Sequence, residues 1–267
     1  MLSGTRCAWL QPGSEIRVET RDCLACASSG KNPCGYPLPM LRLMTRDRDP
    51  KVVNCSATML GGCPREQGIK KHVGWYIHPD KAYTRAFGSV VHIGLEKLHN
   101  PGTEAVIETR YSREILLKEK KVSVTAQLDA LYFEDDTHVL IKDYKVVSTL
   151  APSKLKRKAE NYIPQLSIQR WILDHHGIIV TDATLTFIAH DGRRDISLLF
   201  EEDFPHLLSL DETQAYLERR LPALVASLEG NLPPPLDNPA DFWRCRYCDV
   251  SQECQDRWNV PLPYKGL

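Results

Sequence analysis

The chain has 267 residues, 42% hydrophobic and 25% charged, enough to bury one large domain or a core with an appended module. Formal net charge is zero, so a global basic field is absent and any nucleic-acid binding must use a local channel. No apolar run approaches a membrane span, and the start MLSGTRCAWLQPGSE lacks the apolar core of a secretory signal.

Residues 1–50 read as loop-rich, with short strand-like pieces such as EIRVET. A helix is expected from Ser56 through SATMLGGCPREQGIKK, and a second from about Lys81 to His99, stopped by Asn100-Pro101-Gly102. EAVIETRY and REILLKE are strand-rich, and KVSVTAQLDALYF alternates apolar and polar residues. The turn EDDT then returns the chain as HVLIKDYKVV. SKLKRKAENYIPQLSIQRWILDHHG is helical, with Pro164 opening a second segment and Gly177 ending it. ATLTFIAH, the turn Asp191-Gly192 and RRDISLLFEE form another hairpin. An amphipathic helix, DETQAYLERRLPALVASLEG, precedes the extended linker NLPPPLDNPADFW and a final cysteine loop. There is no internal repeat and no low-complexity tract.

The chemistry concentrates in the hairpin. Asp143 and Lys145 stand two positions apart on HVLIKDYKVV, so strand geometry puts both on one face. They form either a surface ion pair or the lining of a cleft. The short turn can bring Asp129, on the preceding strand, beside Asp143. Two adjacent carboxylates repel and stay ionised together only beside a cation, for which a divalent ion with oxygen ligands is the natural candidate. Lys145 would then hold or polarise a water. On the helix before the strands, His92 and Glu96 are four apart and share a face. The helix after them carries Tyr162 and Gln165.

Gly88-x3-His92 on a helix, Asp129 on a strand, Asp143-x-Lys145 on its partner and Tyr162-x2-Gln165 on the next helix resemble, in that order, the RecB-like branch of the PD-(D/E)xK nucleases. The resemblance runs from Ser56 to Asp256. It extends to Cys63 in GGCPRE and to Cys245, Cys248 and Cys254 in CRYCDVSQEC, which resemble the iron–sulfur staple of CRISPR-associated RecB-like exonucleases and AddB nucleases.

The resemblance implies an α/β (α+β), restriction-endonuclease-like fold with a mixed sheet flanked by helices. It implies Mn²⁺ or Mg²⁺ on His92, Asp129, Asp143 and the main-chain carbonyl of Tyr144. Lys145 would orient the attacking water or stabilise the transition state, and Gln165 would position Lys145 or the DNA backbone. A [4Fe–4S] cluster would sit on Cys63, Cys245, Cys248 and Cys254; by spacing alone the four thiolates suit Zn²⁺ as well. The implied reaction is phosphodiester hydrolysis in DNA, with a preference for single strands and often exonucleolytic. CRISPR integrase or recombination proteins would be its partners. A non-catalytic nucleic-acid-binding or assembly module of the same fold is the alternative. Two positions depart from the family pattern: Ala126 stands where glycine is frequent, and Gln169 where tyrosine is.

The basic run Lys154, Lys156, Arg157 and Lys158 either tracks phosphates, with Tyr162 beside it, or is a solvated helix face. Arg193 and Arg194 in the second hairpin are weaker candidates for the same role, and Trp171 and Trp243 read as packing residues. Nine cysteines without an export signal point to a reducing cytoplasm and to metal ligation. Cys7, Cys23, Cys26 and Cys34 supply four thiolates for an N-terminal zinc site, with Cys55 or His72 able to replace Cys7. The domain reading is therefore a cysteine-rich extension over 1–50 and a nuclease domain over 51–267, closed by the four-cysteine cluster.

Overall fold

The structure is a computed structural model. It describes residues 2–7, 16–29, 36, 38–44, 55–73, 75–77, 86–94, 105–117, 119–189, 192–234, 245, 248–251 and 253–254. The chain divides into two compact units, one of residues 1–53, 63–87 and 223–267 and the other of 54–62 and 88–222. The units interleave along the chain, unlike a single boundary at residue 50. No described helix is long and apolar enough to cross a membrane.

The second unit is mixed α/β, an open sheet of parallel and antiparallel strands with helices packed on it. Its strands are β3 (Cys55–Ser56), β5 (Ala105–Leu117), β6 (Lys120–Phe133), β7 (His138–Val146), β8 (Ile179–Ala189) and β9 (Gly192–Ser197). The order is β3-β6-β7-β8-β9, with β5 also paired to β6. EAVIETRY and REILLKE, which look like two strands, form one, because β5 pairs antiparallel with β6 along its whole length.

The β6–β7 ladder runs from Phe133↔Val139 to Ala130↔Lys142 and stops there. Further back along β6, Val124 and Thr125 pair with β3. The sheet therefore forks between Thr125 and Ala130, and that stretch of β6 carries Asp129. The parallel β7–β8 pair requires a crossover, supplied by α6 (Pro152–Glu160) and α7 (Ile163–His175). Leu155, Ala159, Ile163, Leu166 and Leu173 of these helices bury against Ile141, Leu185 and Phe187 of the sheet. Pro164 lies in the first turn of α7, where its missing N–H costs nothing. Gly177 ends it at φ +73°. The Ile178 N–H donates to the Leu173 carbonyl and the Gly177 N–H to that of Asp174, which closes a Schellman motif.

The helix expected across 56–71 is broken. α3 (Ala57–Gly61) belongs to the second unit and α4 (Pro64–His72) to the first, with Cys63 as the N-cap of α4 and Pro64 opening it. The helix expected over 81–99 is described at 86–94, labelled α5. α8 (Leu210–Leu228) begins with a capping box: the Ser209 N–H donates to Glu212 Oε2, and the Glu212 N–H to Ser209 Oγ.

Residues 1–50 are less loop-like than composition suggests. They contain β1 (Leu2–Cys7), β2 (Ile16–Glu19), α1 (Thr20–Ser28) and α2 (Leu38–Met44). β1 pairs antiparallel with β2 and parallel with β4 (Trp75–Ile77). Leu41, Ile69, Ala86 and Val250 form the small core of this first unit.

Candidate metal centre

Asp129 stands at the fork. Its Oδ2 accepts the Tyr144 N–H at 2.8 Å, so a side chain supplies what the interrupted ladder does not. Its Oδ1 lies 3.4 Å from His92 Nδ1 on α5. The same Nδ1 is 3.3 Å from Glu108 Oε1 on β5. His92, Glu108 and Asp129 bring three donor atoms within 4.8 Å of one another, a group able to hold a metal ion. Imidazole and carboxylate donors suit a divalent cation of the Mn²⁺ or Mg²⁺ kind.

Asp143 is buried: Gln165 Nε2 donates to Oδ1 at 3.0 Å, and Lys145 Nζ pairs with Oδ2 at 2.5 Å, an oxygen that accepts no well-directed hydrogen bond from the described residues. Tyr162 is half-buried at the start of α7. Its ring lies 5.0 Å beneath the Lys145 ammonium and packs against Phe187 at 6.4 Å.

The electrostatics fit a centre that is short of positive charge. Burial, and then the charge of Asp143, push the Asp129 carboxyl up to about 6, although Lys145, His92 and the Tyr144 N–H pull it down. Burial pulls the Lys145 ammonium down, but the charges of Asp143 and Asp129 outweigh it and hold the group above its ordinary value. The Tyr144 phenol is raised by burial and by its hydrogen bond to Tyr132. The main chain of Tyr144, not its ring, meets Asp129.

Five residues named from sequence thus gather here, namely His92, Asp129, Asp143, Lys145 and Gln165, with Tyr144 joining through its main chain. Glu96 falls outside the described residues. Glu108 was missed. In EAVIETRY it reads as an ordinary polar position of a strand, yet its φ is +52°. Ala126 is buried on β6 opposite Tyr111. Gln169 is 1% exposed, and its Oε1 accepts no hydrogen bond from the described residues.

Lys154, Lys156 and Arg157 are exposed on α6, whose opposite side buries Leu155 and Ala159. Lys158 is half-buried, and burial and Lys154 lower its ammonium. Arg194 pairs with Glu201 at 2.6 Å, and Arg193 lies 3.7 Å from Asp195. Trp171 is a packing residue, 3% exposed beneath the Arg113 guanidinium. Trp243 falls outside the described residues.

The thiols belong to the first unit, apart from Cys55. Arg65 Nε donates to Cys254 Sγ at 3.1 Å, and Cys248 and Cys254 pack on the small core around Ile69. Lys70 bridges Glu66 at 2.6 Å and Asp249 at 2.9 Å, which ties α4 to the segment of Cys248. Cys248 is raised by burial first and then by the charge of Glu66. Cys63 opens α4, and the Cys248 N–H donates to the Cys245 carbonyl. No three thiol sulfurs among the described residues lie within 4.8 Å of one another.

Of the proposed N-terminal zinc ligands, Cys23 and Cys26 lie on α1, and Cys23 packs on the same small core as Cys248 and Cys254. Cys34 and the side chain of Cys7 fall outside the described residues. The substitutes for Cys7 are otherwise engaged. Cys55 is fully buried in β3 and its thiol is pushed up to about 11 by burial. His72 Nε2 lies 2.9 Å from the Leu228 carbonyl.

No protein-family model and no curated protein matches the chain. Among solved structures it is similar to SSO0001, at 16% sequence identity and a TM-score of 0.53, over 89% of this chain and 96% of that one. At that identity the likeness is one of fold.

Proposed function

We propose that this chain is a metal-dependent deoxyribonuclease of the RecB-like PD-(D/E)xK kind, hydrolysing phosphodiester bonds of single-stranded DNA from an end. One observation carries the reading: Lys145 and Gln165 contact Asp143 beside the Asp129–His92 pair, at the fork where the β6–β7 ladder ends. A structural ion pair needs no imidazole and no second carboxylate. His92, Asp129, Asp143 and the Tyr144 carbonyl would hold Mn²⁺ or Mg²⁺, which when bound supplies phosphate polarisation and an acidified water. The Lys145 ammonium, kept charged by Asp143, donates to the attacking water or to a phosphate oxygen as charge develops. Gln165 keeps Asp143 from turning away. The exposed cations of α6 steer the strand toward the fork.

We also infer that Cys63, Cys245, Cys248 and Cys254 carry a [4Fe–4S] cluster. The Cys-x2-Cys-x5-Cys spacing together with Cys63 supports it, as does the Arg65 donor aimed at the Cys254 sulfur. The cytoplasm of a prokaryotic or phage-infected cell, with CRISPR adaptation or recombination proteins as partners, is the setting this reading suggests.

The test is anaerobic purification followed by digestion of 5′- and 3′-labelled single-stranded DNA with Mn²⁺. Cleavage is expected, and Asp143→Ala or Lys145→Ala should each lower it by about 10³-fold while the protein stays folded. DNA binding without product would instead mark a non-catalytic binding module.

A further inference from the structure

We propose that Tyr162, backed by Phe187, is a positioning residue for the reaction: its ring face seats the Lys145 ammonium at the spot from which that group meets the attacking water or the phosphate. The inference rests on the metal-dependent reading above and adds to it what holds the lysine in place.

A lysine in this role needs a seat. Its charge rides on a flexible four-carbon stem with three rotatable donors, so one nearby acid fixes where the ammonium is but not where it points. Asp143 illustrates this. Its Oδ2 lies 2.5 Å from Lys145 Nζ, yet it accepts no well-directed hydrogen bond from the described residues. A second contact supplies what the ion pair lacks: Lys145 Nζ stands 5.0 Å over the centre of the Tyr162 ring. A cation within about 6 Å of an aromatic centroid is attracted by the negative face of the ring, the more so where water is excluded. The Lys145 side chain is only 16% exposed. The ring carries no charge, so it attracts the ammonium without neutralising it. It leaves the N–H donors to Asp143 and to a substrate oxygen.

The seat is built into the fold. Lys145 and Phe187 are partners in the parallel β7–β8 ladder, so their side chains leave the sheet on one face. Phe187 is fully buried, and the Tyr162 ring packs on it with centroids 6.4 Å apart and planes inclined at 56°. The main chain of Tyr162 is tied to both crossover helices. Its N–H donates to the Ala159 carbonyl of α6, and its carbonyl accepts the Leu166 N–H of α7. Three residues on, a spacing that keeps one helix face, Gln165 reaches Asp143. The first turn of α7 thus meets both side chains of Asp143-x-Lys145, the lysine through a ring and the aspartate through an amide.

The experiment measures kcat and KM on single-stranded DNA with Mn²⁺ for the intact wild-type, Tyr162→Leu and Tyr162→Phe proteins, beside NMR of carbon-13-labelled lysine side chains. In the wild type the Lys145 Cε protons, identified by their loss in Lys145→Arg, should lie upfield of those of the other lysines, shielded by the ring beneath them. Tyr162→Leu should return them to the common position and lower kcat by about 10²-fold, with KM little changed. Tyr162→Phe, which keeps the ring and drops the hydroxyl, should keep the upfield signal and recover most of the lost kcat. An unshifted Lys145 signal in the wild type overturns the proposal without recourse to any variant, so a misfolded Leu variant cannot shelter it. A Tyr162→Leu protein with kcat intact, a loss confined to KM as a DNA contact would give, or a Phe variant as slow as Leu also overturns it, and each leaves the nuclease reading standing. No cleavage by the wild type overturns both.

Discussion

At the residue scale the telling group is Asp129, whose carboxyl sits near 6 because burial and Asp143 disfavour its charge. An acid with a folded value above its unfolded one keeps a proton that the unfolded chain has lost. The metal-free fold is therefore favoured below about pH 4, loses stability as pH rises toward 6, and keeps the deficit above it, at about 3 kcal/mol. A divalent ion removes the deficit, and its binding must displace the proton. Mn²⁺ should accordingly raise the thermal midpoint far more at pH 7.5 than at pH 5. Asp129→Asn should stabilise the metal-free protein at pH 7.5 and lose most of the Mn²⁺ effect. Equal Mn²⁺ shifts at the two pH values would count against it. Asp143 and Lys145 are legible in the sequence because the strand period puts them on one face, whereas His92 and Gln165 are legible only through the resemblance that Gly88-x3-His92 and Tyr162-x2-Gln165 carry. Glu108 is not, because a left-handed backbone announces itself through Gly or Asn, and a glutamate between Ile107 and Thr109 signals only a strand.

At the element scale, the hairpin β6–β7 and the split helix α6–α7 follow from alternation, a tight turn and Pro164. The termination of the β6–β7 ladder does not, since pairing along one strand shifts from β7 to β3 only once residues distant in sequence are folded together. α4 illustrates close approach. A Cβ on Gly68 would lie 2.7 Å from the Ser227 carbonyl oxygen and would also overlap Ser227 Oγ and Leu232 Cδ2. A flexible leucine tip can yield, but the main chain of α8 yields little. Gly68→Ala should therefore cost about 1–3 kcal/mol in chemical or thermal unfolding. α1 escaped a composition-based reading because TRDCLACAS buries no residue fully and so lacks the apolar stripe that marks a helix.

At the scale of the whole molecule, a boundary at residue 50 misplaces the cysteines. The C-terminal thiols and α1 share one unit, while His92, Glu108, Asp129 and Asp143 of the candidate metal centre lie in the other. Contacts between segments so far apart in sequence leave no local pattern to read. A cluster joining Cys63 to the 245–254 loop would close about 180 residues, and its closure entropy would stabilise the first unit. Stripping the thiol-bound metal by oxidation or chelation should thus lower the unfolding midpoint of that unit, yet leave the Mn²⁺ stoichiometry of the His92 centre unchanged. Loss of both together would contradict the assignment of the two metals to separate donor sets.

The hydrogen bond from the Tyr144 amide to Asp129 has a further consequence for anyone who reads knock-outs. Truncation to alanine deletes more than a charge, because it strands an amide that the frayed ladder cannot re-partner, a defect of about 1–3 kcal/mol. An inert Asp129→Ala protein would confound a collapsed scaffold with lost chemistry, whereas asparagine retains the acceptor and is the informative control.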